Sequence, residues 1–152
     1  MNIVLFEPEI ALNTGNIGRT CVATGTTLHM IEPFGFSINE KQIKRAGMDY
    51  WDRLDLRTYD EWADFVSEHG TEKLFLATTK TDRSYTDVKF DPDSFIMFGP
   101  ESRGIPEEIL NAHPENCIRI PMLLEERCLN LANSVCVVLY EALRQNSFKG
   151  LV

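Results

Sequence analysis

The sequence predicts an α/β fold, an open and mostly parallel sheet with helices on both faces. Two observations predict it. Short apolar runs alternate with helical patterns along the whole chain. Several of those runs are apolar almost throughout, as strands buried on both faces of a parallel sheet must be, whereas a sheet with one wet face would alternate. The 152 residues suit a single domain, 1–152, with a real core and little left for a second module.

The runs Asn2–Phe6, Thr27–Ile31, Leu74–Thr78, Phe95–Phe98 and Cys117–Ile120 read as strands, and Asp55–Thr58 as a weaker sixth. Helices fill the gaps. The first is expected from about Thr14 to Thr24, with Asn13 as its cap and Gly25 as its stop. Ser37-Ile-Asn-Glu40 has capping-box spacing and would open a short basic helix. Thr58 and Glu61 repeat that signature ahead of Trp62, Phe65 and Val66, whose spacing makes a core-facing stripe. Pro106 takes a first-helical position before Glu107 and Glu108, which favour the positive helix end. The last helix spans roughly Asn130 to Gln145, with Asn130 as its cap.

Composition narrows the class. Hydrophobic residues make up 43% and charged residues 25%, ordinary for a soluble globular protein. The longest apolar run, Val135 to Tyr140, is far too short to span a bilayer. The segment MNIVLFEPE has neither the basic region nor the cleavage site of a secretory signal. Cys21, Cys117, Cys128 and Cys136 lie far apart without CxxC spacing, so a reduced, cytoplasmic protein without a metal site is expected. The net charge of −8 sits awkwardly with a nucleic-acid partner, yet binding depends on local potential. Lys41, Lys44 and Arg45 crowd one short segment, Lys80 and Arg83 flank a loop, and Arg19 and Arg103 sit in glycine-containing turns. A solvated face explains any one group equally well.

In an open α/β sheet ligands sit at the carboxyl ends of strands, so the loops after Phe6, Thr78, Phe98 and Ile120 are the candidates. Three segments are too specific for ordinary turns. Asn13-Thr-Gly-Asn-Ile-Gly-Arg19-Thr20 combines two glycines with polar side chains where a helix start offers N–H groups to an anion, although Gly15 and Gly18 would equally serve tight packing. It is neither a P-loop nor GxGxxG. Phe98-Gly-Pro-Glu-Ser-Arg-Gly-Ile-Pro106 is a rigid loop in which a bare turn would need neither Glu101 nor Arg103, unless those two simply pair on the surface. Ile120-Pro-Met122 is followed by an acidic stretch and then Arg127-Cys-Leu-Asn-Leu-Ala-Asn-Ser134. Capping by Asn130 leaves Asn133 and Ser134 unexplained within the first turns of an otherwise apolar helix.

In that order and at those separations, the three segments resemble the motifs of the SPOUT, or α/β-knot, class of RNA methyltransferases. The likeness runs from Asn2-Ile-Val-Leu to Tyr140-Glu-Ala-Leu-Arg-Gln145. Within the class it is nearest the minimal tRNA 2′-O-methyltransferases that modify the wobble nucleotide, cytidine or a modified uridine; Glu7–Ile10 and Arg45–Tyr50 match their motifs as well.

The resemblance implies a carboxyl-terminal trefoil knot, which runs against the usual topology rule. It implies S-adenosylmethionine as methyl donor, held near Ala77, Thr78, Gly99, Ile120, Met122, Cys128, Leu129 and Ala132. Members of the class commonly carry serine at the position of Cys128; a backbone contact survives that change and a hydroxyl hydrogen bond does not. It implies Arg19 as the residue that activates the ribose hydroxyl, supported by Asn13, Glu101 and Asn130. An arginine is an unusual base because its guanidinium stays protonated, and an orienting role on a phosphate is the alternative. His29, in a strand, and His69 and His113, at helix ends, are not placed for catalysis. It further implies a homodimer whose site draws Arg19 from one subunit and the donor pocket from the other. Val135, Val138, Leu139 and Leu143 would fit that interface or a core stripe. RNA contacts would come from Lys41, Lys44, Arg45, Lys80, Arg83 and Arg103, with Tyr140 stacking on a base or buried in the core. A ribosomal-RNA 2′-O-methyltransferase and a non-catalytic nucleotide- or RNA-binding regulator on the same fold remain the competing readings, with thiol catalysis at Cys128 or Cys21 a distant one.

Overall fold

The computed structural model describes residues 1–37, 50–123 and 128–152. Six strands form one sheet: β1 (Asn2–Phe6), β2 (Thr27–Ile31), β3 (Leu56–Tyr59), β4 (Leu74–Ala77), β5 (Phe95–Phe98) and β6 (Cys117–Ile118), in the order β3-β2-β1-β5-β4-β6. Every pairing is parallel, with Asn2 opposite both Thr27 and Phe95. The expected sheet is therefore present, and parallel throughout rather than mostly.

The period of two along each strand separates two cores. Ile3, Leu5, Leu28, Met30, Ile96, Phe98 and Ile118 point to one face. There they meet Ile17 and Cys21 of helix α1 (Ala11–Thr24) and Val135, Val138, Leu139, Ala142 and Leu143 of helix α4 (Leu131–Gln145). Val4, Phe6, Ile31, Tyr59, Leu74, Leu76, Met97 and Cys117 point to the other. They pack on Phe65 of helix α2 (Trp62–His69) and on Ile109 and Leu110 of helix α3 (Glu107–Ala112). Helices thus cover both faces. The α4 stripe at 135, 138, 139 and 142 is fully buried within the chain. The core explanation for it holds, and the expectation of an interface stripe there does not.

Several boundaries differ from expectation for identifiable reasons. Helix α1 starts at Ala11, three residues early, and its cap is an extended Ile10 that makes no side-chain cap bond. Asn13 is therefore inside the helix, because its amide is engaged elsewhere. Residues 14–20 are helical throughout, so their N–H groups are directed at the preceding turn, from Thr14 N–H to the Ile10 carbonyl onward, and do not form an anion cradle. Gly18 instead gives room to a neighbouring segment: a Cβ there would stand 3.2 Å from Leu54 and 3.4 Å from Trp51. Gly25 stops the helix as expected, in the left-handed region at φ 65°. Thr58 lies within β3 and caps nothing; Glu61 is the cap of α2, and its N–H donates to Asp64 at 3.2 Å. Pro106 stands at the cap of α3, one place before the first helical residue. Asn130 caps α4 as expected, its side chain accepting from the N–H groups of Ala132 and Asn133. The helix expected after Ser37 lies outside the described residues.

One buried polar network interrupts the second core. The Asn2 amide donates to the carbonyls of Asp93 and Ser94, which turns its oxygen toward His29 Nε2 at 3.2 Å. Nε2 must then carry the hydrogen and Nδ1 must accept, from Tyr59 OH at 2.9 Å. Tyr59 oxygen in turn accepts from His69 Nε2 at 2.8 Å. Phe65 and Phe95 enclose the set edge-on. Burial, then the facing His69, push His29 down to about 4, so it is neutral at physiological pH. An unfolded histidine takes up its proton near 6.5, so the unfolded state binds more protons between those values. Stability should be full above pH 6.5 and fall by about 2–3 kcal/mol as pH drops toward 4. Chemical denaturation at a series of pH values should show that slope, and His29→Leu should flatten it.

Candidate functional site

The carboxyl ends of β1, β4, β5 and β6 all open on one side of the sheet. A cleft of about 510 Å³ lies there. Its walls are the segment after β4 (Ala77 to Lys80), the loop after β5 (Phe98 to Ile105), Ile120 and Met122 after β6, and Cys128 to Leu131 with Ser134 at the start of α4. Ile10 and Asn13 close it from α1. Such a volume, part apolar and edged with backbone polar groups, is the size range of nucleoside-like ligands.

The loop after β5 is folded back on itself. A Cβ on Gly99 would come within 2.2 Å of both the Gly104 carbonyl carbon and the Ile105 nitrogen, so only glycine permits the turn. Gly104 N–H donates to the Pro100 carbonyl at 2.9 Å, with Gly104 itself at φ 72°. The segment after β1 is equally constrained. Glu7 adopts φ 46°, the Pro8 carbonyl accepts from Gly35 N–H at 2.9 Å, and a Cβ on Gly35 would lie 2.6 Å from the Glu9 oxygen.

A hydrogen-bond chain joins these pieces. Asn130 donates to Asn13 Oδ1 at 2.9 Å, and Asn13 donates to Glu101 Oε1 at 2.9 Å. Glu101 Oε2 accepts from Glu9 N–H at 2.9 Å. Glu9 accepts in return from the Ser102 N–H and hydroxyl at 2.9 and 2.7 Å. Arg103 pairs with Glu7 rather than with Glu101. Asn13, Glu101 and Asn130, 88 and 117 residues apart in pairs, thus meet. Their polar atoms are committed to one another and to the α4 cap, which makes them supports of the cleft wall.

Of the eight residues expected around the donor, Ala77, Thr78, Gly99, Ile120, Met122, Cys128 and Leu129 line the cleft. Ala132 does not; its N–H is used by the Asn130 cap. Glu9, Ser102 and Ser134 were not singled out as site residues. The signal for Ser134 was its polarity inside an apolar helix, and for Glu9 two carboxylates directly after the first strand. Arg19 lies outside its own chain's cleft, exposed on α1, with its guanidinium 4.9 Å above the Tyr50 ring. The Tyr50 hydroxyl donates to the Gly15 carbonyl.

Of the basic residues, Lys80 and Arg103 edge the cleft, each paired with a carboxylate, Lys80 with Glu107 at 2.6 Å. Arg83 donates to the Glu115 carbonyl. Lys41, Lys44 and Arg45 lie outside the described residues. Tyr140 is 45% exposed, which settles against a core tyrosine. Burial pushes the Cys21 thiol up to about 12, which removes it as a nucleophile. Among the described residues no cluster of three or more His, Cys, Asp or Glu is arranged to hold a metal, and no helix is long and apolar enough to cross a membrane.

Residues 1–140 match the model of the SpoU rRNA Methylase family. The chain is 45% identical to the tRNA (cytidine(34)-2′-O)-methyltransferase of Escherichia coli K12, covering 100% of this chain and 98% of that one. The solved structure described as giving insight into the 2-OH methylation of C/U34 on tRNA superposes with a TM-score of 0.89 at 41% identity, covering 96% of this chain and 95% of that one. The SpoU methyltransferase AviRb of Streptomyces viridochromogenes, solved with AdoMet, superposes at a TM-score of 0.82 and 19% identity, over 97% of this chain and 58% of that one, and shares the fold. A parallel sheet with its cleft at the strand ends, a glycine-locked loop after β5 and near-full-length relatives at this identity place the chain in the SpoU methylase family.

Proposed function

We propose that this chain transfers a methyl group from S-adenosylmethionine to the ribose 2′-OH of the wobble nucleotide, cytidine or a modified uridine, of tRNA. The observation that carries the reading is the cleft, where seven of the eight residues expected around the donor converge. Relatives of the same length named for that reaction support it. The ribosomal-RNA alternative draws support from the family's description as rRNA methylases, and the tRNA-named relative matched over 98% of its length favours the tRNA reading.

The residues present fit the donor. Gly99 keeps the loop backbone close, Ala77, Ile120, Met122 and Leu129 provide apolar walls, and Thr78, Cys128 and the loop backbone provide polar edges. When bound, S-adenosylmethionine supplies a methyl group on a sulfonium centre. The chain's part is to bind, orient and exclude water. Residues 1–152 act as one domain, its carboxyl-terminal part threaded as a trefoil knot, and the protein works on tRNA in the cytoplasm. Arg19 is the residue we assign to the ribose hydroxyl. Its part is to stabilise negative charge that develops on the oxygen.

Because Arg19 is exposed and outside its own cleft, the site is completed by a second copy. The exposed Leu12 of α1 and Val137 of α4, 71% and 38% accessible, give the adjacent helices an apolar face for an isologous contact. Lys41, Lys44, Arg45, Lys80, Arg83 and Arg103 would surround the tRNA, with Tyr140 stacking on a base.

Incubation of labelled donor with total tRNA should place the label on a wobble ribose; label on a base, or none, would overturn the reading. Arg19→Ala should lower transfer by about 100-fold or more while leaving donor affinity unchanged. Mixed dimers of Arg19→Ala with Gly99→Val should recover activity that neither homodimer has, since one composite site then keeps both wild-type halves; no recovery would place Arg19 in cis. Binding of tRNA should weaken steeply with salt, and a flat response would remove the basic residues from the contact.

A further inference from the structure

We propose that Glu9 is a positioning residue for the methyl donor: its carboxylate clamps Ser102 and thereby holds the loop after β5 closed along the cleft. The inference rests on the reading of that cleft as the donor pocket. Nothing in the chemistry of methyl transfer asks for Glu9, and its carboxylate makes no contact with the Asn13–Asn130 pair. Its two oxygens are spent on one residue, accepting from Ser102 N–H at 2.9 Å and from Ser102 Oγ at 2.7 Å.

The clamp is reciprocal. Glu101, the neighbour of Ser102, sends its carboxylate back to the Glu9 N–H at 2.9 Å. Each loop therefore supplies a carboxylate to the other's main chain, and Arg103 with Glu7 adds a third link between the same two segments. Glu9 is also held from behind. Gly35 lies so flat against it that a Cβ would come within 2.6 Å of its carbonyl oxygen, and Gly35 N–H is bonded to Pro8. The carboxylate is thus aimed from a fixed backbone at a loop whose own internal tie is Gly104 N–H to the Pro100 carbonyl. The Ser102 hydroxyl, then its N–H, hold the Glu9 carboxyl below the usual range, in keeping with an ionised acceptor.

The geometry distinguishes a need for acceptor placement from a need for charge. In Glu9→Gln the amide oxygen still accepts from Ser102 N–H, and its NH₂ donates to the Ser102 hydroxyl, which accepts as readily as it donates. Glu9→Ala loses both bonds. The dissociation constant for S-adenosylhomocysteine, measured by calorimetry, should rise about tenfold in Glu9→Ala and stay within about threefold in Glu9→Gln, because a loop displaced by a fraction of an ångström loses its fit. Ser102→Ala should weaken binding in the wild-type background and add nothing in Glu9→Ala. Wild-type affinity in Glu9→Ala, equal weakness in Glu9→Gln, or a full additional loss from Ser102→Ala would each overturn the proposal. Should Glu9→Ala fail to give a cooperative thermal transition, Glu9→Gln and Ser102→Ala alone decide it: near-wild-type binding in the first with weakened binding in the second supports it, and the reverse overturns it. Wild-type protein that binds no S-adenosylhomocysteine would instead overturn the donor-pocket reading itself.

Discussion

A buried primary amide is the joint of this molecule. Asn13 is only 6% exposed, so its N–H and its oxygen must each find a partner or cost the full desolvation of a polar group. They find Glu101 on the loop after β5 and Asn130 at the head of α4. One side chain therefore fixes three elements that the chain visits at its beginning, middle and end. The same need explains why α1 begins early. Winding the helix back to Ala11 carries Asn13 off the cap position and onto the face that meets those partners.

Much of the fold could be read from the chain because parallel strands buried on both faces are apolar throughout, and these were. All six strands appear within two residues of their expected ends. What could not be read is where tertiary partners override local preference. Thr58 has capping-box spacing, but pairing with β2 continues through to Tyr59, whose hydroxyl sits between His29 and His69. The Asn13–Gly18 segment has the residues of an anion loop, but it is helical and its Gly18 makes room for Leu54 and Trp51. Of the site, the backbone-rich loops were legible through their glycines and prolines, and the resemblance tied them together. Glu9 was legible only as one of two carboxylates after the first strand, since its partner, a serine 93 residues away, leaves no mark on the local sequence.

The electrostatic arrangement reconciles an acidic chain with an acidic polymer only in part. Lys80 and Arg103 at the cleft rim already neutralise Glu107 and Glu7. Exposed pairs of this kind are worth little and exchange partners readily, so a phosphate competes on near-equal terms with a side-chain carboxylate. Arg19 is different, since its partner among the described residues is the aromatic ring of Tyr50, a contact that leaves the charge uncompensated.

The ends of the sheet carry a further consequence. The β3 edge is four residues long and presents Arg57, flanked by Asp55 at 3.9 Å and Glu68 at 3.8 Å. The β6 edge is two residues long, and its continuation at Arg119 is already bridged to Ser84. Both edges are blunted in the way natural sheets avoid adding strands from another molecule. Strand addition between copies of this chain is thereby disfavoured at both ends of the sheet, and the residues that finish the fold at its edges are also its protection against aggregation.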